Sequence, residues 1–275
     1  MQLHIIDTGF FKLDGGAMFG VVPKTIWQRL NMPDAKNLCT WAMRCLLIVQ
    51  KNRRILIDTG LGNKQREKFF SYVEPHGEAN LLSSLAKKGF SPADMTDVIL
   101  THLHFDHVGG AVSKNENGNL VPTFPNATYW SNEEHWQIAM KPNAREKASF
   151  LKENFVPLQE QNQLKFVKDG EEIAAGVSVR FVYGHTHAMM LPHIKYQGKT
   201  LVYLADLIPS AAHIKLPYVM AYDMQPLVTL QEKKEYLEEA VEKRHILFFE
   251  HDAKIACATV KRTEKGIVFD KEIVL

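Results

Sequence analysis

The sequence predicts an α/β protein. Three observations carry that prediction. Short apolar and β-branched runs of strand length recur along the chain, helix-opening signals fall between them, and no repeat or low-complexity linker interrupts the pattern. At 275 residues, 45% hydrophobic and 23% charged, the chain is globular in composition and long enough to bury a core without disulfides.

Taken in order, the first 41 residues stand apart. Phe10-Phe11, Gly15-Gly16, Met18-Phe19-Gly20 and Trp27 form an aromatic, glycine-broken stretch with little periodicity. It is expected to be loop-rich, either packed on the core or walling a pocket. Ala42 to Gln50 and Arg53 to Asp58 are apolar runs around Lys51-Asn52, the pattern of a hairpin. A helix is expected from Glu78 to Lys88, with Leu81, Leu82 and Leu85 inward and Gly89 as its stop. Asp97 to Thr101 is a short β-branched run. Ser131-Asn-Glu-Glu134 and Thr229-Leu-Gln-Glu232 both fit the capping box, in which hydroxyl and carboxylate satisfy orphan backbone donors reciprocally. The second opens a helix to about Lys243. The later strand candidates are Val177 to Tyr183, Leu201 to Ala205, Ile246 to Glu250 and Ile255 to Val260, with turns at Gly198 and Gly266.

Charge names no partner. Lysine and arginine number 33 against 31 aspartates and glutamates, a formal +2 with no basic block, so no nucleic-acid footprint is visible. Cys39, Cys45 and Cys257 are odd in number and form no CxxC pair, which suits free thiols in a reducing compartment. The opening residues lack a basic-then-apolar leader, and apolar runs such as Cys45 to Val49 are far short of the ~20 residues that span a bilayer. The expectation is a soluble cytoplasmic protein acting on a small molecule, without membrane or nucleic acid.

The strongest signal is Thr101-His102-Leu-His104-Phe-Asp106-His107-Val-Gly109-Gly110, with four potential metal ligands directly after the Asp97–Thr101 run. Imidazole and carboxylate are what zinc, iron or manganese bind, and His-X-His lets two rings converge on one ion. Asp106 and His107 can serve a second. The glycines permit close backbone approach. Three more candidates each follow a strand-like run: His185, Asp206 and His251. Ligands emerging from successive strand ends are how an α/β scaffold assembles a site.

His102-X-His104-X-Asp106-His107, then Gly184-His185-Thr186, Ala205-Asp206 and Glu250-His251 resemble the metallo-β-lactamase superfamily over about residues 42–252. Leu56-Ile57-Asp58-Thr59-Gly60 is similar to that family's early strand-loop element. The resemblance implies one domain over 1–275, an αβ/βα four-layer sandwich of two mixed β-sheets with outer helices, with the segment 1–41 covering the pocket. It further implies two divalent metal ions, zinc first, with iron or manganese as alternatives. His102, His104 and His185 would hold one and Asp106, His107 and His251 the other, with Asp206 bridging and Asp58 behind a ligand imidazole.

The implied activity is a dinuclear hydrolase that cleaves a lactone or ester through a metal-bridging hydroxide, Asp106 passing the proton. The segment from Asp206 to Asp223 is similar to the branch of N-acyl-homoserine lactonases and methyl parathion hydrolases, in which an aromatic N-terminal stretch forms pocket and homodimer. Lactonases often carry a tyrosine three residues after the bridging aspartate. Here Pro209 stands there, leaving Tyr222 as the catalytic candidate and Tyr218 as a substitute. Alternatives are a glyoxalase II-like thioesterase, disfavoured because only 24 residues follow His251, a phosphotriesterase, a mononuclear-iron persulfide dioxygenase, and a catalytically silent scaffold. His187 replaces a frequent proline and is either a donor or an exposed ring. His76, His135, His193 and His213 read as ordinary.

Overall fold

The computed structural model describes all 275 residues, and the chain divides into two compact units. The first comprises Met1–Gly9, Met43–Ser71 and His76–Asp169; the second comprises Phe10–Ala42, Tyr72–Pro75 and Gly170–Leu275.

A six-stranded sheet has the order β1 (Gln2–Asp14), β2 (Leu38–Gln50), β3 (Arg53–Ile57), β4 (Asp97–Ile99), β7 (Thr128–Ser131) and β8 (Leu164–Phe166); β5 (Val112–Lys114) and β6 (Leu120–Pro122) pair separately. β2 and β3 form the expected antiparallel hairpin, with Leu46 opposite Ile57, whereas β3, β4, β7 and β8 run parallel. The short strand β4 is wholly buried, as central parallel strands are. The first unit's core gathers Ile6, Leu47, Leu56, Val98, Phe124 and Tyr129.

The second unit carries a seven-stranded sheet. In chain order its strands are β9 (Glu172–Ala174), β10 (Val177–Val182), β11 (Met189–Tyr196), β12 (Lys199–Tyr203), β13 (Ile246–Phe248), β14 (Cys257–Thr263) and β15 (Gly266–Glu272). All neighbours in it are antiparallel except β12 and β13. Both sheets are therefore mixed, and the α/β class holds. The turn glycines Gly198 (φ 73°) and Gly266 (φ 99°) join β11 to β12 and β14 to β15 in the left-handed region that favours glycine. The helices are α1 (Gly15–Phe19), α2 (Lys24–Trp27), α3 (Glu67–Val73), α4 (Leu81–Lys87), α5 (Phe105–Val108), α6 (Glu133–Met140), α7 (Val156–Glu160) and α8 (Pro226–Lys243). None is long and apolar enough to cross a membrane.

Three local expectations are corrected. Residues 1–41 are not loop-rich throughout: β1 is a thirteen-residue strand. Its burial falls at Leu3, Ile6, Gly9 and Phe11 rather than at every second residue, and Gly9 sits at φ 101°, an irregularity that hides the strand from a period-two reading. Ser131 ends β7, and Asn132 caps α6 instead, its side chain accepting from the His135 amide at 2.8 Å. Helix α8 begins at Pro226, so Thr229 lies inside it and caps nothing.

The N-terminal aromatics resolve as packing. Phe11, Met18, Phe19 and Trp27 are all buried. Phe19 stacks on Trp27 (5.4 Å between centroids) and on His213 (4.7 Å), with Tyr218 edge-on at 6.1 Å. Phe19→Ala is therefore expected to cost about 3–5 kcal/mol, read as a fall in melting temperature. A variant that melts like the parent would remove Phe19 from the core.

Candidate metal centre

The first unit holds four of the seven predicted ligands on the segment leaving β4. His102 and His107 are completely buried, and His104 and Asp106 are 7% exposed. The His102 ring lies 3.9 Å from that of His107 and 4.5 Å from that of His104, centroid to centroid. Asp106 Oδ2 is 3.7 Å from His107 Nε2. Packing this many buried imidazoles and a carboxylate together is costly unless a cation or hydrogen bonds compensate.

Asp58 organises this cluster. It follows β3 at φ 57°, in the left-handed region that aspartate tolerates better than most residues. Its carboxylate accepts from the Thr101 amide (2.8 Å) and from the Thr101 hydroxyl (2.7 Å), and lies 3.2 Å from His107 Nδ1. Asp58 thus backs a predicted ligand, and an Nδ1–H held there leaves Nε2 free to serve a metal.

The glycines of the motif serve a close backbone crossing. The segment 58–62 lies against 107–110: the Thr59 amide donates to His107 O (2.8 Å) and the Gly110 amide to Gly60 O (3.0 Å). A Cβ on Gly109 would stand 2.0 Å from Leu61 O. Lys64 Nζ donates to Gly109 O; burial pulls its ammonium down to about 7.

The second unit holds His185, Asp206 and His251, each directly beyond a strand. Asp206 presents one oxygen to each histidine: Oδ2 lies 3.2 Å from His185 Nε2, and Oδ1 lies 3.0 Å from His251 Nε2. The opposite ring nitrogens are held as well. His185 Nδ1 is 2.8 Å from Asp223 Oδ1, and His251 Nδ1 is 2.8 Å from Ala42 O. Ala205, just before Asp206, takes φ 42°, a conformation costing an alanine about 1–2 kcal/mol that the surrounding structure must offset.

Several supporting residues escape a sequence reading. Glu232 does not cap α8. Its carboxylate accepts from the Tyr183 amide (2.6 Å) and the Gly184 amide (3.0 Å), while the amides of Met224 and Gln225 donate to the carbonyls of His185 and Gly184 (3.0 and 2.8 Å). The loop bearing His185 is clamped from both sides, and Gly184 is needed because a Cβ there would meet Thr229 N at 2.3 Å. Burial raises the Glu232 carboxyl above its usual range, against the pull of those two amides. His135 accepts from the Leu103 amide at 2.9 Å, holding the segment between His102 and His104. No spacing rule marks Asp223 or His135, whose partners are remote in sequence.

Tyr218 is buried in the aromatic stack, whereas Tyr222, next to Asp223, is 37% exposed. His187 lies edge-on to Tyr183 at 5.1 Å. His213 is fully buried, Nδ1 2.7 Å from Ser210 Oγ and Nε2 2.9 Å from Met18 O; desolvation lowers it to about 3, so it stays neutral.

The chain is similar to known proteins over most of its length. It is 28% identical to a probable metal-dependent hydrolase from Staphylococcus aureus, covering 100% of this chain and 96% of that one with a TM-score of 0.89. An N-acyl homoserine lactonase of Bacillus cereus is 25% identical over 264 residues, 91% of this chain and 93% of the relative. A dizinc quorum-quenching lactonase solved with a product shares the fold, with a TM-score of 0.80 at 22% identity, covering 99% of this chain and 95% of that one. The family model of the metallo-β-lactamase superfamily matches residues 44–251, a span that begins in β2 and ends on His251; the chain belongs to the metallo-β-lactamase superfamily.

Proposed function

We propose that this chain is a dinuclear metal-dependent hydrolase acting on a lactone or uncharged ester. In this reading His102, His104 and His185 would hold one ion and Asp106, His107 and His251 the other, with Asp206 shared; all seven are candidate donors. The observation that carries the reading is the two-sided Asp206 carboxylate, each oxygen facing the Nε2 of a histidine whose Nδ1 is held from behind. The donor set fits the metal: imidazole and carboxylate only, all buried, with no thiolate.

Divalent ions bound there supply Lewis acidity toward a carbonyl oxygen and a nucleophile at neutral pH. The chain's own residues do the rest. Asp58, Asp223 and the Ala42 carbonyl orient the rings of His107, His185 and His251, and Asp106 is placed to hold a proton beside the reacting atoms. The preference for lactones draws on the lactonase relative, zinc on the dizinc neighbour. The buried aromatics of α1 and α2 lend it no support, since they line no exposed wall.

Elemental analysis of gently purified protein is expected to approach two metal equivalents per chain. Saturation at one, with His251→Ala retaining it, overturns the dinuclear reading. Hydrolysis of lactones and aryl esters should exceed that of thioesters, and S-lactoylglutathione as the best substrate would remove the lactonase assignment. Asp58→Asn and Asp223→Asn should each weaken metal binding about 10–100-fold, measured by competition with a chromophoric chelator. Unchanged affinity in both would mean that these carboxylates do not support the ligands.

A further inference from the structure

The second unit carries a groove of about 520 Å³ that contains none of the predicted metal ligands. It is bounded by the segment 214–218, by the outer face of α8 and by the turn joining β14 to β15. Its floor is apolar: Ile214, Leu216, Leu237, Ile267 and Val268, with Pro217 at the edge. Ile214 and Leu237 are buried, and the rest are half-buried apart from exposed Pro217.

The rim is cationic. Lys215, Lys234, Arg262 and Lys265 line it, against one acid, Glu238. Lys234, Arg262 and Lys265 make no ion pair, and Lys215 lies over the Tyr218 ring at 5.3 Å. Cations nearby in the same unit do find carboxylates: Lys261 pairs with Asp270 at 3.2 Å and Lys243 with Glu239 at 2.9 Å. Four cations thus share the rim with a single acid, and a ligand anion bound there can neutralise part of that charge.

The wall is also pre-built. Lys233, fully buried on α8, donates to the carbonyls of Lys215 (2.8 Å), Tyr218 (2.8 Å) and Leu216 (3.4 Å). A ligand therefore does not have to order this loop, which removes one cost of binding.

We propose that this groove is a binding site for a single-chain amphiphilic anion, a medium-chain acyl carboxylate. The tail lies on Leu216, Leu237, Ile267 and Val268, where burial of apolar surface contributes about 25 cal/mol per Å², and the head group sits among Lys234, Arg262 and Lys265. A neutral alcohol of equal length lacks the head-group term, and a lipid bilayer cannot enter a concavity of this size.

Decanoate and decanol are titrated into the holoprotein while the methyl resonances of Leu237, Ile214, Ile267 and Val268 are followed by NMR. Decanoate is expected to shift them with saturation. Decanol, and decanoate with the double variant Lys234→Glu/Lys265→Glu, should bind at least about tenfold more weakly. The double variant changes only exposed side chains, and its turnover should match the parent. The proposal is overturned if decanoate leaves these methyls unmoved, if the double variant or decanol binds like the parent pair, or if only anionic phosphatidylglycerol vesicles shift them.

Discussion

Asp206→Ala is expected to lower kcat and kcat/KM together by at least about 10²-fold while leaving the fold intact, because it removes a group serving the transition state rather than substrate binding alone. One carboxylate approaches two histidines 45 residues or less to either side of it, 3.2 Å from His185 Nε2 and 3.0 Å from His251 Nε2. Alanine deletes both contacts at once and leaves two buried imidazoles facing a gap. The fold should tolerate this: Asp206 sits on a short turn beyond β12, whose register with β11 and β13 is made by backbone bonds. Steady-state kinetics on a lactone that the parent cleaves well, beside thermal melts, make the test. Near-parental kcat would remove Asp206 from the role of shared ligand, and a collapse in melting temperature would assign it to structure instead.

Gly109→Ala should be the most damaging single-methyl addition in the first unit, costing about 3 kcal/mol or more in overpacking. The new Cβ would lie 2.0 Å from Leu61 O and 2.4 Å from Leu61 C. Both obstacles are backbone, and they cannot rotate away as a side chain can. The strain would propagate in two directions, to His107 two residues upstream and to the turn 58–62 carrying Asp58. Gly118→Ala is the control. Gly118, unlike Gly109, has a positive φ (78°), but nothing lies within 4 Å of its Cβ, so it should lose only about 1–2 kcal/mol to backbone strain. Urea unfolding of the two variants compares them directly. Equal midpoints would mean that the segments 58–62 and 107–110 do not cross as closely as described.

The sequence by itself determined the donor chemistry. His102, His104, Asp106, His107, His185, Asp206 and His251 stand out as candidates because they follow strand-like runs, and strands do precede them, ending one or two residues before those runs do. It also determined the β2–β3 hairpin, the Gly198 and Gly266 turns and the need for Gly109-Gly110, since periodicity, turn chemistry and glycine content are local properties. What only the tertiary structure decided are the partners. Thr229-Leu-Gln-Glu232 satisfies a capping pattern, yet the Glu232 carboxylate is taken by amides 49 and 48 residues away. Asp223 backs His185 across 38 residues, and His135 holds Leu103 across 32. Phe19 and Trp27 were equally compatible with a pocket wall or a core until His213, nearly two hundred residues on, was stacked against Phe19. A capping box and a loop clamp use the same residue types, and so do a pocket wall and a core. The choice between them depends on which buried donors and apolar faces remain unsatisfied after the chain has folded.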